Sequence, residues 1–564
     1  MDGIAASSGM AIGKVLVIKK DKPEEMNLEF QGVPQELNIL TMAISKSKSD
    51  LQSIKEKTLK EQSKNEAQIF ETHLMLLEDP EVIKQTTQKI EEENLTAINS
   101  YSQVTKSFIS MFEKMDDTYM AERASDIKDI SARVLTYMKG GEMINLSSLI
   151  EPVILITDDL TPSQTASMDR KNVLGFATSL GGKTSHSAIM ARNMEIPAVV
   201  GLGSVIHELK DGEIIILDGF TGKIIVNPSK AQIQEYQDIK ESYLNKKNEL
   251  KKYIGMKTKT SDSKEVILAS NIGTVADLDS LHENDAEAVG LYRTEFLFMD
   301  RDKMPSEQEQ FEKYKEIIVG LKGKECIIRT LDIGGDKNLP YLNLPKEENP
   351  FLGVRAIRLC FKRLDLFKTQ LRALLRASSF GPTGIMFPMI ATYEELIQAK
   401  EILNNIKNEL KSENISFDKN LKIGMMIEIP SAALISDILA EEVDFFSLGT
   451  NDLTQYTMAV DRMNENLTYL YDPYCPALLR LIHQVSLNAK EHSTLLAMCG
   501  SMAHDELLLP FWIGCGFDEL SMSSMHILTT RKSILDLDSE KTKVLVSKVL
   551  KAKTSNEVKE ILSN

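Results

Sequence analysis

At 564 residues the chain is too long for one ordinary domain, and its length predicts about three or four. The composition is globular (42% hydrophobic, 26% charged), no apolar run nears the ~20 residues of a bilayer span, and Met1-Asp2 opens without the order of a secretory signal, so membrane insertion is not expected. Five cysteines without a CxxC pair predict a reducing cytoplasm, and a net charge of −16 argues against a nucleic-acid binder, whose phosphate contacts need clustered Lys and Arg.

In chain order, "GIAASSGMAIGKVLVIKK" places a β-type run (Lys14 to Ile18) after a Gly- and Ser-rich turn. From about Pro34 to Lys139 apolar residues recur at helical spacing and glycine is nearly absent, which predicts an all-helical insert of paired helices. β-Type runs return in "PVILITDDLTP", "NVLGFATSLGG", "IPAVVGLG", "EIIILDG" and "KIIVNP". The texture predicts a small discontinuous α/β domain, residues 1–22 plus 145–228, with a helical domain at 23–144 inserted. "SKAQIQEYQDIKESYLNKKNELKKYI" is a charged helical pattern with few apolar anchors, read as a linker helix at 229–256; an ordinary surface helix is the alternative.

From 257 to 564 short apolar runs alternate with long amphipathic stretches: "VILASNIG", "AVGLYRTE", "CIIRTLDIGG", "GIMFPMI", "IGMMIEIP", "DFFSLGTND", "LLAMCGS" and "ELSMS". Roughly eight β–α units over ~300 residues are what a (β/α)8 TIM-type barrel requires, and buried parallel strands read as continuous apolar runs. A doubly wound open sheet competes, but the even repeat and the lack of a GxGxxG turn favour the barrel. The fold class is thus multidomain α/β.

Active sites of such barrels lie at the C-terminal ends of the strands. There the sequence offers Arg293, Arg329 with Asp332, Glu428, Asn451 with Asp452, and Cys499, with Lys337 and Arg462 close behind. Arg forks bind carboxylate and phosphate, and two carboxylates can hold Mg²⁺ together with substrate oxygens. A cation and several arginines stabilise charge on a transferring phosphoryl group, and a thiol can act as general acid. Each residue also has a plainer role: surface ion pairing for an Arg, core packing for a Cys, helix-end electrostatics for a Glu. By spacing alone, the reading stops at a barrel enzyme acting on a small phosphorylated or carboxylated substrate with a metal.

"GGKTSHSAIMARN" sets His186 between Ser185 and Ser187, behind two glycines and ahead of a helical pattern. Ser and Thr cap helices, helix N-termini attract phosphate, and a neutral imidazole is a competent nucleophile toward phosphorus. The alternative is one more residue in a helix's first turn.

These stretches, with "GLYRTEFLFMDR", "RTLDIGGDK", "NPFLGVRAIRLC", "EIPSAALISD", "FFSLGTNDLTQYTMAVDR", "GIAASSG" and "ETHLMLLEDPE", together resemble the enzyme I family of the bacterial sugar phosphotransferase system, the phosphoenolpyruvate–protein phosphotransferases. The resemblance runs nearly end to end. It implies transfer of the phosphoryl group of phosphoenolpyruvate to Nε2 of His186, release of pyruvate, and onward transfer to a histidine of the phosphocarrier protein HPr. It further implies substrate binding by Arg293, Arg329, Asn451, Asp452 and Arg462, with Lys337 and Arg355 or Arg358 in support. Mg²⁺ (Mn²⁺ as an alternative) would lie on Glu428 and Asp452, and Cys499 would protonate the enolate. The helical insert would dock HPr through Glu71, Glu81 and Arg123, and the barrel would form a homodimer.

Dikinase and synthase relatives would need a nucleotide domain for which there is no room, and a nitrogen-regulatory paralogue would carry an additional sensory domain. Against the family pattern, Ser501 stands where a Glu is expected, His504 where a Gly is usual, and Gln164 for a Glu. A phosphoenolpyruvate-sensing carrier without rapid turnover is the non-enzymatic alternative.

Overall fold

The computed structural model describes all residues except 19–28, 62–63, 114–117, 142–145, 147–148, 150, 162–163, 166–167, 169–170, 183–184, 186, 189–190, 192–195, 300, 302, 336–338, 343, 346, 463, 465–466 and 468. The chain forms two compact units, Met1–Lys246 and Lys247–Asn564.

In the first unit, β1 (Ile4–Ser7) and β2 (Met10–Ile18) precede the helices, whereas β3 (Val153–Thr157), β4 (Val173–Thr178), β5 (Ala198–Val200), β6 (Ile214–Asp218) and β7 (Lys223–Val226) follow them. All seven join one sheet in the order β1-β5-β4-β3-β2-β6-β7. β2 is inside it, parallel to β3 from Lys14↔Val153 to Ile18↔Thr157 and antiparallel to β6 on its other edge. The apolar residues of β3, β4 and β5 alternate between faces, as strands covered on both sides require: Leu155, Phe176 and Val200 pack in one core, Ile154, Ala177 and Val199 in the other. The chain therefore leaves the sheet after β2, builds α1 (Val33–Glu61), α2 (Lys64–Leu77), α3 (Pro80–Glu93), α4 (Ala97–Glu113) and α5 (Thr118–Met138), and returns to the same sheet.

The helices have their own core, drawn from the apolar stripe of each: Leu40, Ala43 and Leu51 of α1, Phe70 of α2, Ile90 of α3, Tyr101 of α4 and Val134 of α5. Their ends are specified locally. Asp79 caps α3 by accepting from the amides of Glu81 (2.8 Å) and Val82 (3.3 Å), with Pro80 at the first helical position. The buried Glu36 carboxylate accepts from Ala97 N at 2.7 Å, satisfying an otherwise open donor at the start of α4 from within α1. α6 (Lys230–Leu250) follows β7, and none of its described side chains is buried.

The second unit is a closed barrel of β8 (Ile267–Ile272), β9 (Ala288–Arg293), β10 (Cys326–Arg329), β11 (Thr383–Phe387), β12 (Lys422–Ile427), β13 (Phe445–Leu448), β14 (Leu495–Met498) and β15 (Glu519–Met522). Every neighbouring pair is parallel, and β15 pairs β8 from Glu519↔Ile267 to Met522↔Ser270. That closure excludes the open doubly wound sheet. Leu291, Ile327, Met386, Met426, Phe445 and Cys499 fill the inside, so the barrel is packed and its chemistry is confined to the rim. No helix among the described residues is long and apolar enough to cross a membrane.

Candidate active site

The C-terminal ends of the strands carry a chain of alternating charge. Glu295, two residues beyond β9, lies 2.5 Å from the guanidinium of Arg329, the last residue of β10. Arg329 also meets Asp332 at 3.0 Å, and Asp332 in turn meets Arg355 at 2.8 Å. Arg355 reaches Asp452 at 3.6 Å, and Asp452 lies 3.9 Å from Arg462. Within this chain of charges Arg462 has the most exposed side chain, at 27%; Arg329, Asp332 and Arg355 are buried. Ions so far from water persist only in mutual compensation.

Burial alone would lower the basicity of Arg329 and Arg355. For Arg329 the facing carboxylates of Glu295, Asp332 and Glu428 more than offset it, and for Arg355 those of Asp332 and Asp452 do, so both are held above the ordinary arginine value. Arg293, at the end of β9, shifts the other way, through desolvation and then the charge of Arg329. Its side chain is exposed at the strand end, where an incoming anion can reach it.

Glu428 follows β12 and is buried; its Oε1 accepts from Met389 N at 2.6 Å. Burial, then the charges of Asp452 and Asp332, push its carboxyl up to about 8. The Oδ1 of Asp452 is buried without a hydrogen-bond partner. Two crowded carboxylates, one reluctant to ionise and one with an open oxygen, fit a hard divalent cation that takes its remaining ligands from substrate and water. Among the described residues no group of three or more His, Cys, Asp or Glu stands ready to hold an ion.

Cys499 ends β14. Its Sγ donates to the carbonyl of Leu448 at 3.6 Å, and burial pushes the thiol up to about 11, so it holds its proton at neutral pH. Its carbonyl accepts from Asn271 Nδ2 at 3.0 Å. Asn451 Oδ1 accepts from the hydroxyl of Ser501 at 2.6 Å and from its amide at 3.3 Å. The arrangement can bind a small multiply charged anion, place a cation beside it and hold a proton close by.

Residues 247–539 match the family model described as the phosphoenolpyruvate-binding domain of phosphoenolpyruvate-utilising enzymes. Residues 2–123 match that family's N-terminal domain and residues 149–222 its mobile domain. A phosphoenolpyruvate-protein phosphotransferase of Priestia megaterium is 48% identical over all of this chain and 98% of its own length. The chain belongs to the phosphoenolpyruvate–protein phosphotransferase family. The enzyme of that name from Bacillus subtilis is 47% identical over 99% of this chain and 98% of its own. A solution structure of an enzyme I (nEIt) protein is 44% identical, covering 43% of this chain and 99% of its own, with a TM-score of 0.39.

The residues singled out in the sequence fall into four groups. Arg293, Arg329, Arg355, Glu428, Asn451, Asp452, Arg462 and Cys499 stand on successive strand ends or the loops and helices that follow them. Arg358 instead donates to the carbonyls of Leu352 and Gly353, both at 3.3 Å, and braces a loop. In the helical region Glu71 pairs with Lys55 at 3.3 Å, and Glu81 accepts from Gln85 at 2.8 Å; both are exposed. His186 and Lys337 lie outside the described residues, as does the side chain of Arg123. Near His186, the Ser185 hydroxyl accepts from Ala188 N at 3.3 Å, the hydrogen bond of a helix N-cap, and donates to Gly182 O at 2.9 Å.

Glu295 and Asn271 were missed as site residues. The signal for Glu295 was present in "LYRTE": a carboxylate two residues past a strand-end arginine, in a 3-10 turn that turns it back toward the mouth. Asn271 sits inside a strand and gives no such signal.

Proposed function

We propose that this enzyme transfers the phosphoryl group of phosphoenolpyruvate to Nε2 of His186 and then to a histidine of the phosphocarrier HPr, the first step of sugar uptake by the phosphotransferase system. The observation that carries the reading is the alternating lattice from Glu295 to Arg462 with Cys499 beside it. Arg293, Arg329 and Arg462, with Lys337 and Arg355 in support, bind the carboxylate and phosphate of the substrate, and Asn451 orients it. Glu428 and Asp452 would hold the divalent cation, Mg²⁺ or Mn²⁺, which when bound neutralises charge on the phosphoryl oxygens.

His186 attacks phosphorus as the bond to the enol oxygen breaks, leaving the enolate of pyruvate. Cys499 gives its proton to the enolate carbon. The resulting thiolate lies in the field of Arg329 and Arg293, both of which favour the charged sulfur.

In this reading residues 1–22 and 145–228 form the phosphohistidine domain and 23–144 the HPr-docking domain, with Glu71, Glu81 and Arg123 as contacts. Residues 229–256 are the linker, and 257–564 are the barrel through which the protein forms a homodimer. An acidic protein facing a basic carrier gains association rate from charge complementarity. The reading places the enzyme in the cytoplasm, without nucleic acid or membrane insertion.

The test is incubation with labelled phosphoenolpyruvate and Mg²⁺, with and without HPr. Acid-labile label should map to His186 by mass spectrometry and chase to HPr. The His186→Ala protein should take up no label while still binding phosphoenolpyruvate. Label elsewhere, or none in the unaltered protein, would reject the reading.

A further inference from the structure

The loops that follow β13 and β14 approach closely where Gly500 meets Thr450, and that approach bears on how the Asn451 side chain is held. A Cβ placed on Gly500 would lie 1.8 Å from Thr450 Oγ1 and 2.7 Å from Thr450 N, so only glycine lets the two loops approach this closely. The approach sets Ser501 against Asn451, fifty residues earlier in the chain. The Ser501 hydroxyl donates to Asn451 Oδ1 at 2.6 Å, and the Ser501 amide donates to the same oxygen at 3.3 Å.

Two donors on one amide oxygen leave a single consistent orientation for the Asn451 side chain. Turned over, its NH₂ would face a backbone N–H, donor against donor. With Oδ1 occupied and no acceptor for Nδ2 among the described residues, both Nδ2 hydrogens are available to a bound anion. The Tyr471 hydroxyl tethers the residue from behind, donating to the Asn451 carbonyl at 3.3 Å.

We propose that Ser501 is a positioning residue: it holds the Asn451 amide as a hydrogen-bond donor toward an anionic oxygen of phosphoenolpyruvate. The inference rests on the reading of Asn451 as a substrate-binding residue. An amide offering its NH₂ attracts a substrate oxygen, whereas one offering Oδ1 repels it. The hydroxyl contributes through Asn451 alone, so its effect falls on substrate binding. The Ser501 backbone amide survives substitution by Ala or Thr, so loss of the hydroxyl weakens the hold without abolishing it.

Steady-state kinetics of phosphoenolpyruvate-dependent HPr phosphorylation test this on the full-length protein and on Ser501→Ala, Ser501→Thr, Asn451→Ala and the Ser501→Ala/Asn451→Ala pair. Loss of one hydrogen bond predicts a KM for phosphoenolpyruvate raised about three- to tenfold in Ser501→Ala, with kcat within about twofold. Thr, which keeps the hydroxyl, should restore KM, and Ser501→Ala should add nothing in the Asn451→Ala background. Ser501 is exposed, so these variants should melt with the unaltered protein. An unchanged KM in Ser501→Ala, or a full effect that persists without the Asn451 amide, overturns the proposal. Absence of any label on His186 in the unaltered protein would instead reject the underlying function.

Discussion

Arg329 is buried with carboxylates of Glu295 and Asp332 against its guanidinium, whereas Arg462 touches a carboxylate only at 3.9 Å and keeps solvent access. Removing Arg329 would leave two buried acids uncompensated, a change that typically costs about 3–5 kcal/mol, so loss of activity there would be confounded by loss of fold. On the proposed role of Arg462 in holding substrate, it is the residue whose substitution should report on binding. A second residue-scale feature is the stack of His504 on His526, ring centroids 4.0 Å apart and planes 14° from parallel, on the turns that follow β14 and β15. Burial and then the charge of His504 push His526 down to about 4 from its ordinary 6.5, and burial lowers His504 as well. The unfolded chain therefore takes up a proton near pH 6.5 that the folded protein resists, and stability present above that pH is lost as pH falls toward about 4. Thermal melts should show His526→Gln losing less of its melting temperature than the unaltered protein between pH 7 and pH 4.5; parallel pH slopes would contradict this.

At the scale of elements, the turn from β13 into the helix Thr450–Met458 delivers both Asn451 and Asp452, and it passes directly over Glu428. A Cβ on Gly449 would lie 2.8 Å from Glu428 Oε2 and 2.9 Å from Met426 Sδ. Gly449→Ala should therefore displace the Glu428 carboxylate and, if Glu428 holds the divalent cation as proposed, weaken activation by Mg²⁺ at least about tenfold, while circular dichroism shows an intact barrel. Normal Mg²⁺ dependence would mean that the turn yields without moving Glu428. The "SLGTND" motif shows these residues in sequence, and the apolar run before it predicts the strand that carries them. What it does not show is the contact that makes glycine necessary, because Glu428 comes from the neighbouring strand. Arg355 and Arg358 were equally eligible for the same reason. They are three residues apart, and only the placement of Asp332 and Asp452 draws one into the carboxylate lattice while the other braces a loop.

At the scale of the whole molecule, each buried apolar cluster of the described residues is drawn from one unit. The barrel core draws only on residues from Val266 to Leu562, while the sheet and helical cores lie within Ala6 to Ile224. Units without a shared core unfold with separate cooperativity. Scanning calorimetry should resolve at least two transitions, and phosphoenolpyruvate with Mg²⁺ should raise only that of the barrel. One transition, or an equal shift of both, would show that the units are energetically coupled.

The sequence by itself determined the repeated strand–helix alternation of the barrel, the helical texture inserted after β2, and the polar residues at the strand ends. All of these are periodicities or junctions set by neighbours along the chain. Tertiary structure decided that β15 closes on β8, that Glu295 neutralises Arg329, and that Ser501 turns the Asn451 amide. It also decided that Glu428 resists ionisation, because burial and the nearby Asp452 and Asp332 are properties of a place. Each of these pairings joins residues from different strands and loops, and a Coulomb or hydrogen-bond energy depends on distance through space rather than on separation along the sequence.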